Sequence, residues 1–132
     1  MINKPKILVV EDEIESRKYL QLVLRKKYDL DYCDTKKSVF NYLKEKKYNA
    51  IIVDISLKND FSGIDLMKEL KRKPSFKSIP IICLSAHAYG EDRRKAEELG
   101  ADIYLTKPVT NKVLVSTLDK LIVTTNGEEA EA

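Results

Sequence analysis

The chain has 132 residues, a length that suits a single domain with a substantial hydrophobic core. Its 24 basic and 21 acidic residues leave a formal net charge of +3, which is too balanced to indicate a nucleic-acid-binding surface. No segment approaches the ~20 consecutive apolar residues that span a membrane, and no apolar segment of signal-peptide length precedes the first predicted strand.

Short apolar runs alternate with amphipathic segments along most of the chain. The runs predict five strands, at residues 6–10, 30–33, 50–53, 81–85 and 103–106. The segments between and after them predict five helices: residues 14–27, a helix capped by Thr35, a helix opened by Ser62-Gly63, residues 91–100 stopped by Gly100, and a last helix ending near Ile122. This alternation indicates a parallel sheet covered by helices on both faces. The polar residues 123–132 predict a short, frayed tail.

The two cysteines, Cys33 and Cys83, both fall in strand-like segments. They lack the spacing of metal ligands and are typical of small buried side chains in a reducing compartment. We therefore expect a cytoplasmic protein.

Charged or hydroxyl-bearing residues end or follow four of the five predicted strands, at the edge where open parallel sheets bind their ligands. They are Glu11, Asp12 and Glu13 after the first strand, Asp54 after the third, Ser85 after the fourth and Lys107 after the fifth. Each has a structural explanation on its own, because Glu13 suits a helix N-terminus, Ser85 or Asp54 suits a cap, and Lys107 suits the surface. Together they suit phosphate and divalent-metal chemistry.

With these residues the chain resembles the receiver domains of bacterial two-component response regulators. The resemblance rests on the segments VVEDE, IIVDIS, CLSA and YLTKP, and on Tyr104 three residues before the lysine. It covers residues 5–122, which we take as the domain, and implies a flavodoxin-like, doubly wound (βα)5 fold with strand order 2-1-3-4-5. The chain departs from the family in having Glu11 where aspartate is commoner, Lys58 where proline is frequent, and a loop after Asp54 one residue longer than usual.

The resemblance implies that Asp54 is a phosphoacceptor that requires Mg²⁺. Asp12, Asp54 and the backbone carbonyl of Ser56 would bind the metal ion, and Glu11 would act through water. These are oxygen ligands, which Mg²⁺ prefers while keeping several waters.

The remaining family positions imply phosphoryl contacts and a switch. Lys107 and the Ser85 hydroxyl would contact the phosphoryl oxygens, and the Lys107–Pro108 peptide bond is expected to be cis. Ser85 would move toward the phosphoryl group and Tyr104 would turn inward, remodelling the surface of residues 89–122. The alternative is that Tyr104 is a static core residue.

Two further residues are expected to flank the phosphoryl group. Ser56 and His87 lie two residues after Asp54 and Ser85, where the family tunes the rate of hydrolysis. His87 is equally compatible with an exposed loop residue. We expect Ser56→Ala and His87→Ala each to change the dephosphorylation rate severalfold.

The sequence therefore predicts a stand-alone response regulator that is not a turnover enzyme, although it assists its own phosphorylation and dephosphorylation. Its phosphoryl donor would be a histidine kinase or a histidine phosphotransfer protein. Its output would be a contact with a downstream protein, or self-association, through residues 89–122, and neither nucleic acid nor a membrane is expected as a partner.

Three alternatives remain at this point. A receiver-shaped module that is not phosphorylated typically loses the aspartate or the lysine, and both are present here. A phosphatase with an aspartyl-phosphate intermediate carries its nucleophile after the first strand and a second aspartate two residues later, where this chain has Ser56. A flavodoxin-like nucleotide-binding protein is disfavoured because no glycine-rich loop follows the first strand.

Overall fold

A computed structural model of the protein describes residues 4–55, 63–86 and 91–131. Within these ranges, five strands alternate with five helices. The elements are β1 (Lys6–Val10), α1 (Ile14–Leu24), β2 (Asp29–Cys33), α2 (Lys36–Glu45), β3 (Ala50–Asp54), α3 (Gly63–Arg72), β4 (Ile81–Ser85), α4 (Glu91–Glu98), β5 (Ile103–Thr106) and α5 (Asn111–Glu131). The strands form one parallel sheet in the order β2-β1-β3-β4-β5. The predicted fold class and strand order are confirmed.

The sheet is apolar on both faces, which explains the unbroken apolar runs in its central strands. Side chains alternate between the two faces. One face packs against α2, α3 and α4, and its largest fully buried residues include Leu8, Ile51, Leu66, Met67, Leu70 and Ile81. The other face packs against α1 and α5, with Ile7, Leu24, Ile52, Ile82, Leu114 and Leu118 fully buried. All five helices are therefore needed to cover the sheet.

The helix ends follow local sequence chemistry, with one exception. Thr35 accepts a hydrogen bond from the Ser38 backbone N–H at 3.1 Å, while the Ser38 hydroxyl lies 3.3 Å from the Thr35 N–H, forming a capping box. Gly100 follows α4 with φ of +101°, as predicted for a left-handed cap. The predicted extent of α1 to residue 27 is wrong, because the helix ends at Leu24 and the chain turns to bury Tyr28.

The last helix is longer than the sequence indicates. The helical backbone of α5 continues to Glu131, so residues 123–131, expected to be a frayed tail, are helical. The domain boundary near residue 122 stays a prediction. In the part of the chain that the structure describes, no helix combines the length and the apolar character needed to cross a lipid bilayer.

Candidate functional site

The parallel sheet brings the residues singled out at the strand ends to one edge. Asp54 is the last residue of β3 and Ser85 the last residue of β4, whereas Glu11 directly follows β1 and Lys107 directly follows β5. The strand register aligns these ends, because Val10 is paired with Val53 and Ser85 with Thr106. Glu11, Asp54 and Lys107 form a contacting cluster there.

The cluster is built around an ion pair between Asp54 and Lys107. The Lys107 Nζ donates to Asp54 Oδ2 at 2.6 Å, and Asp54 is only 5% exposed. Burial lowers the pKa of Lys107, but the hydrogen bond and charge of Asp54, together with Glu11, outweigh it and hold the pKa above its ordinary value. Lys107 is therefore a positive charge that faces a buried carboxylate. This ion pair offsets the desolvation cost of placing Asp54 at the end of a core strand.

Glu11 is the second buried carboxyl group of the cluster. It is 2% exposed, and its Oε1 lies 3.5 Å from the Lys107 Nζ. Burial, together with the neighbouring Asp54 carboxyl group, raises the pKa of Glu11 to about 7. Among the residues described, its Oε2 is buried and has no hydrogen-bond partner. An unpaired buried carboxyl oxygen beside a second carboxylate is a position where a cation or an ordered water is favourable.

The loop from β1 to α1 presents both acidic residues. Asp12 follows Glu11 and is partly exposed. The Glu11 backbone is held on both sides, since its N–H donates to the Cys33 carbonyl at 2.9 Å and its carbonyl accepts from Arg17 Nε at 2.7 Å. The Arg17 Nη2 also lies 3.4 Å from Asp34 Oδ2. The position of the acidic pair is thus fixed by the end of β2 and by α1.

The donor set fits a hard divalent cation that keeps much of its hydration. Within the described ranges, no cluster of three or more acidic, histidine or cysteine side chains is arranged to hold a metal ion by side chains alone. The carboxylates of Asp12 and Asp54, with the unpartnered Oε2 of Glu11 available to a bound water, suit Mg²⁺, which usually takes few protein ligands. The Ser56 carbonyl, expected to complete the set, lies outside the described residues.

The expected switch residues lie on the neighbouring strands. Ser85 is fully buried, and its backbone carbonyl accepts a hydrogen bond from the Lys107 N–H at 2.7 Å. Tyr104 is 9% exposed and belongs to the core on the α4 side, with the Arg93 guanidinium 5.6 Å from its ring centroid. The tyrosine ring is thus buried in this structure, and its inward turn on phosphorylation stays a prediction. The Lys107–Pro108 peptide bond is cis, the isomer expected from the sequence.

Sequence patterns assign no role to three residues that lie near the site. His87, which was expected to tune hydrolysis, lies outside the described residues. Arg17 holds the Glu11 carbonyl, and the available signal was an arginine in the first turns of a predicted helix, six residues after Glu11. Tyr19 donates from its hydroxyl to the Val109 carbonyl at 2.6 Å, and nothing in the sequence indicated this contact. Gly63 packs against the Asp54 backbone. The sequence signal for this close contact was a glycine at the start of a helix, where a polar capping residue is usual.

Comparison with known proteins agrees with this geometry. The family model described as "Response regulator receiver domain" matches residues 7–119. The chain belongs to the response regulator receiver domain family. As a receiver domain it is related to the phosphate regulon transcriptional regulatory protein PhoB of Escherichia coli, to which it is 37% identical over 114 residues, 86% of this chain and 49% of that protein. The chain spans about half the length of the curated relatives of this kind that it matches.

Solved receiver domains share the fold. The receiver domain of a sensor histidine kinase from Pseudomonas aeruginosa, solved with a magnesium ion coordinated in its active-site cleft, superposes with a TM-score of 0.82 at 26% identity, covering 91% of this chain and 98% of that one. The chemotaxis response regulator CheY4 of Vibrio cholerae gives a TM-score of 0.82 at 22% identity, with 90% and 99% covered. At 22% identity, the similarity to CheY4 shows the fold alone.

Proposed function

We propose that the protein is a phosphoacceptor that takes a phosphoryl group onto Asp54 from a phosphohistidine of a histidine kinase or phosphotransfer protein. The observation that carries the proposal is the buried Asp54 carboxylate held by Lys107 at 2.6 Å beside Glu11, and the match of residues 7–119 to the receiver-domain family supports it. In phosphoryl transfer the protein contributes placement and charge neutralisation rather than covalent chemistry of its own.

The transfer forms one bond and breaks one. A carboxylate oxygen of Asp54 attacks the phosphorus, an oxygen–phosphorus bond forms, and the phosphorus–nitrogen bond of the phosphohistidine breaks as the imidazole leaves. The Lys107 ammonium, already paired with Asp54, stays beside the phosphoryl oxygens and offsets their charge. When bound, Mg²⁺ would neutralise further charge on the same oxygens. The acyl phosphate formed on Asp54 is a signalling state, so the protein need not turn over a substrate.

The direct test uses a small acyl phosphate, so that no cognate kinase is required. The purified protein is incubated with acetyl phosphate and Mg²⁺, and its intact mass is measured. We expect the mass of one added phosphoryl group in the wild type and none in Asp54→Asn, because an amide oxygen is a poor nucleophile. Asp65→Asn, an exposed aspartate at the start of α3, is the matched control and should be modified like the wild type.

Two results would favour the other functions. An unmodified wild-type chain would indicate a receiver-shaped interaction module that is not phosphorylated. Repeated turnover of phosphomonoesters would indicate a phosphatase.

We also propose that Ser85 transmits phosphorylation to the surface of residues 89–122, where a downstream protein or a second copy of the chain would bind. Ser85 is buried at the end of β4, and Tyr104 on β5 lies against α4. A phosphoryl group on Asp54 adds about two negative charges and three acceptor oxygens next to these strands. The Ser85 hydroxyl is a neutral donor close to them, and its movement would change the packing beneath α4.

Ser85→Ala separates phosphorylation from transmission. We expect this variant to accept a phosphoryl group more slowly and to lose the response of residues 89–122. The measurement is backbone amide NMR with and without beryllium fluoride, which mimics the phosphoryl group. Equal perturbation of that surface in Ser85→Ala and in the wild type would rule out coupling through Ser85.

A further inference from the structure

The peptide unit between the two acidic residues of the site is held by a side chain that has no role in the phosphoryl transfer itself. Arg17, at the start of α1, donates from Nε to the Glu11 carbonyl oxygen at 2.7 Å. That carbonyl belongs to the peptide that joins Glu11 to Asp12. The hydrogen bond therefore restricts rotation of the peptide that leads into Asp12, and with it the direction of the Asp12 side chain.

Arg17 is itself anchored at a second point. Its Nη2 lies 3.4 Å from Oδ2 of Asp34, the residue that follows β2, and its side chain is only 29% exposed. The planar guanidinium holds Nε and Nη2 in a fixed relation, so one side chain ties the β1–α1 loop to the end of β2. The Glu11 N–H reaches the same strand end, at the Cys33 carbonyl.

We propose that Arg17 is a positioning residue for the Mg²⁺ site, one that presets Asp12 to bind the cation by fixing the Glu11–Asp12 peptide. The inference rests on the proposed phosphoacceptor function. The direction in which Mg²⁺ affinity changes when Arg17 is replaced distinguishes this positioning role from a simple effect of charge. A cation near an acidic site repels Mg²⁺, so removing the charge of Arg17 alone would tighten Mg²⁺ binding. Removing a positioning contact weakens Mg²⁺ binding instead.

The test measures Mg²⁺ binding without any phosphoryl transfer. Mg²⁺ alone is titrated into the unphosphorylated protein, and the Kd is read from backbone amide NMR shifts. We expect Arg17→Met to raise the Kd roughly tenfold, the lower end of the cost of removing a residue that orients metal ligands. Lys18→Met is the matched control, because it removes the same charge from the next, exposed residue of α1. It should leave the Kd unchanged or slightly lower.

A second variant separates the loss of the positioning contact from a general loss of the fold. Arg17→Lys keeps the charge but lacks the fork that joins the Glu11 carbonyl to Asp34, so its Kd should also rise, by less than in Arg17→Met. Thermal unfolding without Mg²⁺ establishes that each variant is folded. A Kd equal to or below that of the wild type in both Arg17 variants would show that the positioning role is wrong. If the wild type binds no Mg²⁺ and accepts no phosphoryl group, the proposed function fails together with this inference.

Discussion

At the scale of single residues, the site depends on contacts too close to admit even a methyl group. A Cβ added to Gly63 would lie 2.9 Å from the Asp54 carbonyl oxygen and from Val53 Cγ1, and 3.0 Å from Ile55 Cα. Two of these three atoms belong to the backbone and cannot rotate away. The start of α3 therefore rests directly on the end of β3, and the glycine sets the distance between them.

We predict that Gly63→Ala lowers both stability and the rate of phosphorylation. The added methyl group forces the end of β3 and the start of α3 apart, at a cost of about 1–3 kcal/mol in the free energy of unfolding. The displaced backbone belongs to Asp54, so phosphorylation by acetyl phosphate should slow as well. Urea unfolding and the rate of mass increase measure the two effects.

Gly100→Ala is the control for Gly63→Ala. Its φ of +101° makes a side chain unfavourable, by roughly 1–2 kcal/mol, but the closest atoms are those of the flexible Lys71 side chain at the opposite end of the sheet from Asp54. It should lose stability and keep the wild-type phosphorylation rate. An equal loss of rate in the two variants would mean that stability alone governs the reaction.

At the scale of helices and strands, the turn between α1 and β2 is joined to α5 by a polar cluster at the edge of the sheet opposite the site. Asp119 of α5 accepts hydrogen bonds from the Tyr28 hydroxyl and from the Lys27 Nζ, the latter at 2.6 Å. Burial alone would raise the pKa of Asp119, but these two donors outweigh it and lower the pKa below its ordinary value of 3.8. The burial of Tyr28 that ends α1 early also brings its hydroxyl to α5.

This lowered pKa predicts the pH dependence of Asp119→Asn. Because the folded pKa lies below the unfolded one, the ionised carboxylate stabilises the fold above about pH 3.8, and the contribution is lost as the pH falls through the folded pKa. The wild type should therefore exceed Asp119→Asn in stability at neutral pH, and the difference should shrink in acid. Urea unfolding over a pH series measures it, with Glu45→Gln, an exposed carboxylate of α2, as the control. A difference that is constant with pH would contradict the prediction.

At the scale of the whole molecule, the sequence pattern predicted the fold because the central strands β1, β3 and β4 are buried apolar runs and most of the helices between them have one apolar side. Because the carboxyl ends of parallel strands share one edge, the strand pattern alone also predicts that Glu11, Asp54 and Lys107 lie together. What the sequence could not supply depends on distances between elements. The 2.6 Å contact of Lys107 with Asp54, the raised pKa of Glu11 and the bond from Arg17 all arise only when separate strands and helices are packed.

The same limit explains the errors. The end of α1 was placed three residues late because its charged residues favour a helix locally, whereas burial of Tyr28 is a tertiary effect. The helical backbone of residues 123–131 was also not expected, because their polar composition lacks the apolar periodicity that indicates a helix.

The common direction of the five strands also decides where other molecules could be joined to this one. β1 enters the sheet at the edge away from Asp54, and α5 runs back from the Asp54 edge toward that same far side. A fluorescent protein, an immobilisation tag or a covalently fused module attached before β1 or after α5 would project from the end of the sheet opposite Asp54. A partner that approaches Asp54 and such an attachment could therefore be accommodated on the same molecule without competing for space.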